Sequence, residues 1–520
     1  MNAPPSAPPL IRALADPRLY GEGVSEVRCV ETHISWVFLT GRYAYKIKKP
    51  VKLPFLDFSS LEQRRHFCEE ELRLNRRLAR ELYVAVVPIG GSAQAPAIGA
   101  QPAIEYAVKM RQFPDDARLD RRLRAGKLDE APLVDFANRL AEFHHALPVL
   151  PNAIPPHRQA AAVVRAVLDN LADLGALVTD ADLAARLEKV RSWTDRQCIA
   201  LEPVIARRLG GRAHKECHGD LHLENLLCMD GKIVAFDALE FDLRLREIDV
   251  ISEASFPTMD LLAHGRRDLA FAFIARYLEA GGDYQGIEVL RFYLVYRAMI
   301  RAKVRAIKAA QTQALEADRH ELIPYFDVAT ELLAPRRPLL AITHGLSGSG
   351  KTHITDTLIG LIPALRVRSD LERKRLHGLQ VDEDSGSPIG GGLYAPDASA
   401  QTYGRLREVA ESALRNHFDI MVDATFLRRD ERRVFQRLAG EHGARFAIID
   451  CVAAPSVLRE RIEKRAAEGR QASEASRQVL DYQLAQQVPL ATEEHAATMT
   501  VDTQSAPDYL GLVARLSALE

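Results

Sequence analysis

One eight-residue segment, Gly345 to Thr352, constrains the fold of this chain more than any other part of it. It reads GLSGSGKT and matches the pattern GxxxxGK[ST] of a phosphate-binding loop. An apolar run, LLAITHG, leads into it, and a helix-compatible segment follows. Further apolar runs, DIMVDAT and FAIIDCV, alternate with helical segments toward the C-terminus. This alternation predicts an α/β domain in which helices cover a parallel sheet.

The residue types in this loop suit the chemistry of phosphate binding. Lys351, predicted both to bind ATP and to act in catalysis, reaches the β- and γ-phosphates, and the Thr352 hydroxyl is offered to Mg²⁺. The backbone groups predicted to close round the phosphate oxygens belong to Gly345, Ser347, Gly348, Ser349 and Gly350. A plain glycine-rich turn is the alternative, and it is disfavoured because motif, strand and helix coincide.

Two aspartates fall where further strands of this sheet are predicted to end. Asp423 in MVDATF follows the apolar residues of a predicted strand and could assist Mg²⁺ through water, while Asp370 in VRSDLERKRL could accept a proton from a substrate hydroxyl. Helix N-capping is the other role open to Asp370. A later helical stretch carries arginines that either neutralise a transferring phosphoryl group or form a solvated face, namely Arg459, Arg461, Arg465 and Arg470.

The length of 520 residues exceeds what one hydrophobic core usually serves, so two domains are expected. The prolines of Ala334-Pro335-Arg336-Arg337-Pro338 mark the boundary. We predict a flexible arm over residues 1–9, a first domain over 10–334 and a phosphate-binding-loop domain over 335–520. Within the first domain, a β-rich small lobe spans about 10–110 and a helical lobe about 111–334.

A second constellation lies in the first domain, in the block HGDLHLEN from His218 to Asn225, with Asp237 following two short apolar runs. Phosphoryl transfer by kinases needs one acid for the acceptor and two oxygen ligands for Mg²⁺. We therefore predict that Asp220 positions and deprotonates an acceptor hydroxyl. Asn225 and Asp237 are predicted to hold Mg²⁺.

Composition excludes several classes of protein. The 47% of hydrophobic residues is ordinary for globular chains, and a formal net charge of −1 gives nucleic acid no general attraction. The six cysteines are scattered, as in reduced cytosolic proteins, and neither a secretory leader nor an apolar run of membrane-spanning length occurs. A cytoplasmic protein without a membrane partner is expected.

The C-terminal motifs resemble the small P-loop kinases that include zeta toxins, gluconate kinases, chloramphenicol phosphotransferases and 5′-hydroxyl polynucleotide kinases. The resemblance spans about Pro338 to Leu490. It implies that Asp370 binds or activates the acceptor hydroxyl and that arginines of a lid helix, Arg461 and Arg465, contact ATP.

The block at Asp220 is similar to the HGDxHxxN segment and downstream aspartate of aminoglycoside phosphotransferases and choline kinases. That resemblance implies a β-strand lysine paired with a helical glutamate, for which Lys46 and Glu71 are chosen, with Lys48 and Glu70 as alternatives. It also implies that backbone groups around Met110, from Lys109 to Arg111, contact adenine. One departure is Asp237-Ala238-Leu239-Glu240, which stands where protein kinases have Asp-Phe-Gly.

Taken together, the chain resembles the bacterial bifunctional aminoglycoside phosphotransferase/ATP-binding proteins. This resemblance implies a multidomain fold: an N-terminal α+β bilobal fold like that of protein kinases, then an α/β P-loop NTPase fold with a parallel sheet. The cofactors implied are ATP and Mg²⁺. The alternatives are a P-loop ATPase that regulates one N-terminal kinase, and a zeta-toxin-like or polynucleotide-kinase-like module acting on a nucleotide-sugar or nucleic acid.

The acceptor is expected to be a small-molecule hydroxyl compound, and one helix hints at its charge. Acidic residues are absent from Val289 to Leu315, where Arg297 and Arg301 lie one helical turn apart. An anionic acceptor bound by these two arginines is one hypothesis. A basic face paired with acidic neighbours is the other, and oligomeric state is not indicated by the sequence.

Overall fold

The computed structural model describes residues 7–53, 56–151, 154–312, 315–380, 383, 392–468 and 476–519. The chain divides into two compact units. Unit 1 comprises 1–136, 146–155 and 208–257, and unit 2 comprises 137–145, 156–207 and 258–520. The boundary predicted at residue 334 lies inside unit 2 and remains a prediction about folding domains.

Unit 1 begins with an antiparallel sheet and several helices. The strands and helices of this part are α1 (Pro9–Ala13), β1 (Arg28–Glu31), β2 (Ser35–Leu39), β3 (Tyr43–Lys48), β4 (Lys52–Leu53), β5 (Leu56–Asp57), α2 (Leu61–Asn75), β6 (Tyr83–Gly91), β7 (Pro96–Ile98), β8 (Glu105–Arg111) and α3 (Leu119–Arg124). The described strands of the sheet run in the order β1-β2-β3-β8-β6-β7. The arm predicted over 1–9 lies mostly outside the described residues, and Ala7 is buried in the core of this part.

The hairpin β2–β3 forms where the sequence alternates apolar and polar residues on either side of a glycine. Gly41 has a φ of +89° in the turn, a conformation that costs glycine little. Phe38 and Ile47 fill the core on one face, while Ala44, on the other, meets Cys68 of α2. Helix α2 starts after Ser60, whose hydroxyl accepts the N–H of Gln63 at 3.1 Å as an N-cap. The sheet and α2 thereby fix the strand that carries Lys46.

Three long helices and a group of short strands follow in the chain. They are α4 (Glu130–Ala146), α5 (Pro156–Leu177), α6 (Ala181–Leu209), β9 (His214–Glu216), β10 (Leu226–Met229), β11 (Lys232–Ala235), α7 (Leu243–Arg246), β12 (Glu247–Asp249) and α8 (Val250–Ala263). The pairs β10–β11 and β9–β12 are both antiparallel. Asp220 lies in the segment before the β10–β11 hairpin, and Asp237 lies in the segment after it. Both acids belong to unit 1.

Unit 2 contains a helical part and then the parallel sheet. The helices before the sheet are α9 (Arg267–Gly281), α10 (Ile287–Thr312) and α11 (Leu315–Leu333). After them come β13 (Leu339–His344), α12 (Lys351–Leu361), β14 (Ala364–Arg368), α13 (Ser369–Leu376), α14 (Pro396–Arg415), β15 (Asp419–Asp423), α15 (Arg429–Glu441), β16 (Arg445–Val452), α16 (Pro455–Glu468), α17 (Arg477–Gln486), β17 (Thr498–Asp502) and α18 (Tyr509–Ser517).

The described strands of this sheet run parallel in the order β14-β15-β13-β16-β17. Every residue of β13 is buried, as expected of a central strand covered on both faces. Ala341, Met421 and Ile449 pack against Ile354 and Leu358 of α12 on one face. This packing fixes the helix that follows the phosphate-binding loop, so the loop lies at the C-terminal edge of the central strand, where ligands bind in such sheets.

Candidate active sites

Lys46 in β3 forms ion pairs with two carboxylates of unit 1. Its Nζ lies 2.9 Å from Oε1 of Glu71 and 2.5 Å from Oδ1 of Asp237. Burial opposes the charge of Lys46, but the carboxylates of Asp237 and Glu71 outweigh it and hold the pKa of the lysine well above its ordinary value. Lys46 is therefore cationic beside the acid predicted to hold Mg²⁺.

Lys48, two residues further along β3, is fully buried and binds the other oxygen of the same glutamate. Its Nζ donates to Oε2 of Glu71 at 2.8 Å and also to Oε1 of Glu240. The two lysines therefore share Glu71 and differ in their second partner. Glu70, the alternative to Glu71, lies instead beside Arg73, 2.9 Å from its guanidinium.

The loop at Asp237 is held by helix α2 and by β6. Asp237 has a left-handed backbone, with φ of +64°, and its N–H donates to the hydroxyl of Tyr83 at 3.1 Å. The next N–H, of Ala238, donates to Oδ1 of Asn75 at 2.9 Å, and Nδ2 of Asn75 donates to the carbonyl of Glu71 at 2.8 Å. The glutamate and the loop acid are thus positioned by one chain of hydrogen bonds.

Asp220 and Asn225 are in direct contact. Nδ2 of Asn225 donates to Oδ2 of Asp220 at 3.0 Å and to its carbonyl at 2.9 Å, while Nε2 of His222 lies 3.2 Å from the same carboxylate oxygen. The Asp220 side chain is 31% exposed. The Asp220 carboxylate is therefore held through Oδ2 and is partly exposed to solvent.

The backbone before Asp220 is fixed by Glu253 of α8, a fully buried acid that the sequence analysis missed. Its carboxylate accepts the N–H groups of His218 at 2.6 Å and of Gly219 at 3.0 Å. Gly219 has a φ of +90°, and a Cβ there would lie 2.9 Å from the carbonyl oxygen of Leu245. Burial lowers the pKa of His218 to about 4, so its ring is neutral, with Nε2 2.9 Å from the Phe236 carbonyl.

The phosphate-binding loop of unit 2 is built on glycines with left-handed backbones. Gly345, Gly348 and Gly350 have φ of +137°, +83° and +87°. A Cβ on Gly345 would lie 2.4 Å from the carbonyl oxygen of Cys451, so no larger residue fits. The hydroxyl of Ser349 is buried without a hydrogen-bond partner among the described residues. The loop is thus packed closely against Cys451 at Gly345, and the Ser349 hydroxyl is an unsatisfied hydrogen-bond donor.

Lys351 and Arg461 both contact the loop. Nζ of Lys351 donates to the carbonyls of Gly345 at 3.0 Å and Leu346 at 2.8 Å. Arg461, in α16, lies 3.3 Å from the carbonyl of Gly348, and Arg459 pairs with Asp481 instead. The side chain of Arg465 and all of Arg470 lie outside the described residues.

The other predicted residues of this site lie on neighbouring elements. Thr352 is the second residue of α12, and Asp423 ends β15, where its buried carboxylate accepts the Thr355 hydroxyl at 3.3 Å. Asp370 is the second residue of α13, whose N-cap is Arg368. Asp370 therefore occupies the first turn and is not the capping residue.

Three predicted residues lie in packed surroundings. Met110 in β8 is buried, and its strand is paired with β3 and β6 on either side. Arg297 and Arg301 are each only 5% exposed within α10, and Arg305, one turn on, pairs with Glu321 at 3.4 Å. The two arginines thus lie inside the helical packing of unit 2, and their role toward an acceptor remains a prediction.

Comparison with known proteins gives a family match in the C-terminal part. An AAA domain model matches residues 340–490, which include the phosphate-binding loop and α16. Among solved structures, a gluconokinase from Sinorhizobium meliloti covers 35% of this chain and 91% of its own, with 20% identity and a TM-score of 0.25. A choline/ethanolamine kinase family protein from Mesorhizobium loti covers 63% and 94%, with 13% identity and a TM-score of 0.38.

Two mycobacterial proteins match most of the chain. Rv2004c of Mycobacterium tuberculosis and Mb2027c of Mycobacterium bovis are each 31% identical over 446 residues, covering 84% of this chain and 86% of theirs. The fold combines an N-terminal part that has an antiparallel sheet and helices with a P-loop domain that has a parallel sheet. The chain belongs to the same family as these two mycobacterial proteins.

Among the residues that the structure describes, no helix has both the length and the apolar character needed to span a bilayer.

Proposed function

We propose that the chain is an ATP-dependent phosphotransferase with two kinase-type sites. Each would transfer the γ-phosphoryl of ATP to a hydroxyl of a small-molecule or nucleotide-linked acceptor. The observation that carries the proposal is Lys46, whose Nζ contacts both Glu71 and Asp237. Kinase activity requires this lysine–glutamate pair and the metal-binding acid to be in place together. The resemblance to bifunctional aminoglycoside phosphotransferase/ATP-binding proteins supports the same proposal, with a cytoplasmic place of action.

In the first site, Asp220 would take the proton of the acceptor hydroxyl, and Asn225 and Asp237 would hold Mg²⁺. The Asp237 side chain is 44% exposed, so its carboxylate offers oxygen to a cation while one oxygen stays on Lys46. Mg²⁺ prefers such oxygen ligands, and when bound it would neutralise charge on the phosphates. Lys46 would turn to the α- and β-phosphates, and backbone near Met110 would contact adenine.

In the second site, the loop from Gly345 to Gly350 would surround the phosphates. The glycine backbones and the unsatisfied Ser349 hydroxyl suit a group with many acceptor oxygens. Lys351 would leave the loop carbonyls for the phosphates, and Thr352 and Asp423 would hold Mg²⁺. Asp370 would act on the acceptor, with Arg461 and Arg465 near the transferring phosphoryl group.

The test is an ATP-consumption screen over aminoglycosides, sugars, sugar nucleotides and oligonucleotides. It is run on the wild type, on Asp220→Ala and on Lys351→Ala, with the exposed Asp116→Ala as a matched control. We expect Asp220→Ala and Lys351→Ala to lose different phosphorylated products. If neither variant loses any activity that the wild type shows, the two-site proposal is wrong.

The charge of the acceptor is a separate proposal, which depends on Arg297 and Arg301. Substitution Arg301→Ala is expected to raise the apparent KM for a phosphorylated acceptor without changing that for a neutral one. If Arg301→Ala changes the KM by the same factor for the phosphorylated and the neutral acceptor, Arg301 serves packing alone.

A second candidate function makes the P-loop domain an ATPase that regulates one N-terminal kinase. It is favoured by an ion network between helix α9 and strand β14, in which Glu279 binds Arg366 at 2.7 Å. ADP release by the Asp220→Ala variant without any acceptor would favour this function over a second kinase site.

A further inference from the structure

A fully buried acid of the helical part, Glu279, is bound by three arginines of unit 2. Oε2 of Glu279 accepts Nη2 of Arg366 at 2.7 Å and Nε at 2.9 Å. Oε1 accepts Nη1 of Arg368 at 3.2 Å and Nη1 of Arg276 at 2.9 Å. Burial opposes ionisation of Glu279, but the charges of Arg366, Arg276 and Arg368 outweigh it and lower its pKa to about 2. Glu279 is therefore a carboxylate at neutral pH.

Both arginines of β14 carry the network onward to the P-loop. Nη1 of Arg366 reaches the carboxylate of Asp356 at 2.7 Å and the hydroxyl of Thr355 at 3.1 Å, both in α12. That hydroxyl donates to Oδ2 of Asp423 at 3.3 Å. Nε of Arg368 lies 3.9 Å from the same oxygen. Two routes thus lead from Glu279 to the single carboxylate that ends β15.

The surroundings leave these groups little freedom. The side chains of Arg366 and Glu279 are 1% and 2% exposed, and Asp423 is buried. The carbonyl of Arg366 accepts the hydroxyl of Tyr284 at 3.1 Å, and Arg375 of α13 donates to the carbonyl of Ala280 at 3.1 Å. A buried charge without its partner is strongly unfavourable, so the arginines cannot leave Glu279 without cost.

We propose that Glu279 is a positioning residue for the P-loop site: through Arg366 and Arg368 it holds Asp423 where that acid can serve the magnesium of bound nucleotide. This inference rests on the proposed function of the P-loop. It adds a residue from outside the segment matched by the AAA domain model, residues 340–490. Nucleotide binding at the P-loop would therefore depend on helix α9.

The experiment uses the full chain with Asp237→Ala as the parent, because losing this predicted Mg²⁺ ligand should remove nucleotide binding at the first site and leave the P-loop as the remaining predicted nucleotide site. Glu279→Gln removes the negative charge at nearly constant size. Glu494→Gln is the matched control, because Glu494 is a similarly buried acid of unit 2 that pairs with an arginine, Arg432, at 2.7 Å. Binding of Mg²⁺-ADP is measured by calorimetry, and the Mg²⁺ dependence of ATP turnover is measured alongside.

We expect Glu279→Gln to weaken Mg²⁺-ADP binding by about 5- to 150-fold, the usual range for coupled sites, while Glu494→Gln leaves it unchanged. A crystal structure of metal-free Glu279→Gln should show Asp423 displaced from Arg368. If Glu279→Gln does not fold, Arg368→Gln takes its place, since it removes one route to Asp423 and leaves the pair of Glu279 with Arg366.

Unchanged Mg²⁺-ADP affinity in a folded Glu279→Gln or Arg368→Gln variant would overturn the inference. Equal weakening by Glu494→Gln would also overturn it, because the effect would then follow from lost stability. A parent that binds no Mg²⁺-ADP at all would refute the proposed function of the P-loop and this inference together.

Discussion

Lys46 and Lys48, neighbours on one face of β3, bind opposite oxygens of the Glu71 carboxylate. Oε1 lies 2.9 Å from Nζ of Lys46, and Oε2 lies 2.8 Å from Nζ of Lys48. Lys46 continues to Asp237 at the site, whereas Lys48 continues to the buried Glu240. Lys46 therefore belongs to the candidate site and Lys48 to the buried ion pairs beside it, although the sequence suggested them as alternatives for one role.

We predict that Lys46→Met mainly lowers activity at the first site, whereas Lys48→Met mainly lowers the stability of unit 1. Lys46→Met should lower kcat/KM for ATP at the first site by roughly 10²- to 10³-fold, the usual effect of removing one charge-stabilising group. Lys48→Met should destabilise unit 1 by about 3–5 kcal/mol, because the buried Glu240 loses its ion pair with Lys48 and Glu71 keeps only Lys46. Urea unfolding and steady-state kinetics measure the two effects. The exposed Lys232→Met is the control. A Lys48→Met variant as stable as the wild type would contradict the role given to the buried ion pairs of Lys48.

Gly345→Ala should abolish nucleotide binding at the P-loop. The added Cβ would lie 2.4 Å from the carbonyl of Cys451 at a φ of +137°, so the loop must move. The matched control is Gly404→Ala in α14, where a Cβ would meet nothing within 4 Å. That change should leave binding intact and stabilise the helix by roughly 1 kcal/mol. A Gly345→Ala variant that binds as many equivalents of Mg²⁺-ADP as the wild type, measured by calorimetry, would contradict the close fit of the loop.

Glu431 in α15 should make stability depend on pH. Burial raises its pKa to about 7 from an ordinary value of 4.5. The folded protein therefore holds a proton that the unfolded chain releases between these values, so stability falls as pH rises through this window. Glu431→Gln should raise the melting temperature at pH 8 and have little effect at pH 4. The exposed Glu441→Gln serves as control. If Glu431→Gln changes the melting temperature equally at pH 8 and pH 4, the raised pKa of Glu431 does not control stability.

Local patterns were enough to predict the fold class, which is confirmed. The motif at Gly345, with a strand before it and a helix after it, predicts a parallel sheet with the loop at its edge, and β13 and α12 occupy those positions. The alternation from Trp36 to Lys48 likewise predicts the hairpin that the structure shows. These features depend on residues close together in the chain, so the sequence carries them directly.

The partners of the candidate sites were harder to predict, because they come from distant segments. Glu253 and Glu279 each lie in a mostly apolar helix, and the contrast between the acid and its apolar neighbours is the only local sign that it is buried and paired. The choice between Lys46 and Lys48 depends on where Asp237 and Glu240 fall, which strand periodicity does not give. The assignments of Asp220, Asp370 and Arg461 remain predictions.

Arg366 has a consequence for anyone who would take the chain apart. A gene fragment beginning at residue 335 would encode this arginine without Glu279, leaving its guanidinium with the contacts to Asp356 and Thr355. Because Arg366 would lose the carboxylate that accepts two of its hydrogen bonds, such a fragment should be less stable than the same segment in the full chain. Glu279 and Arg366 therefore depend on each other, and any shortened chain that keeps one without the other loses a buried ion pair of unit 2.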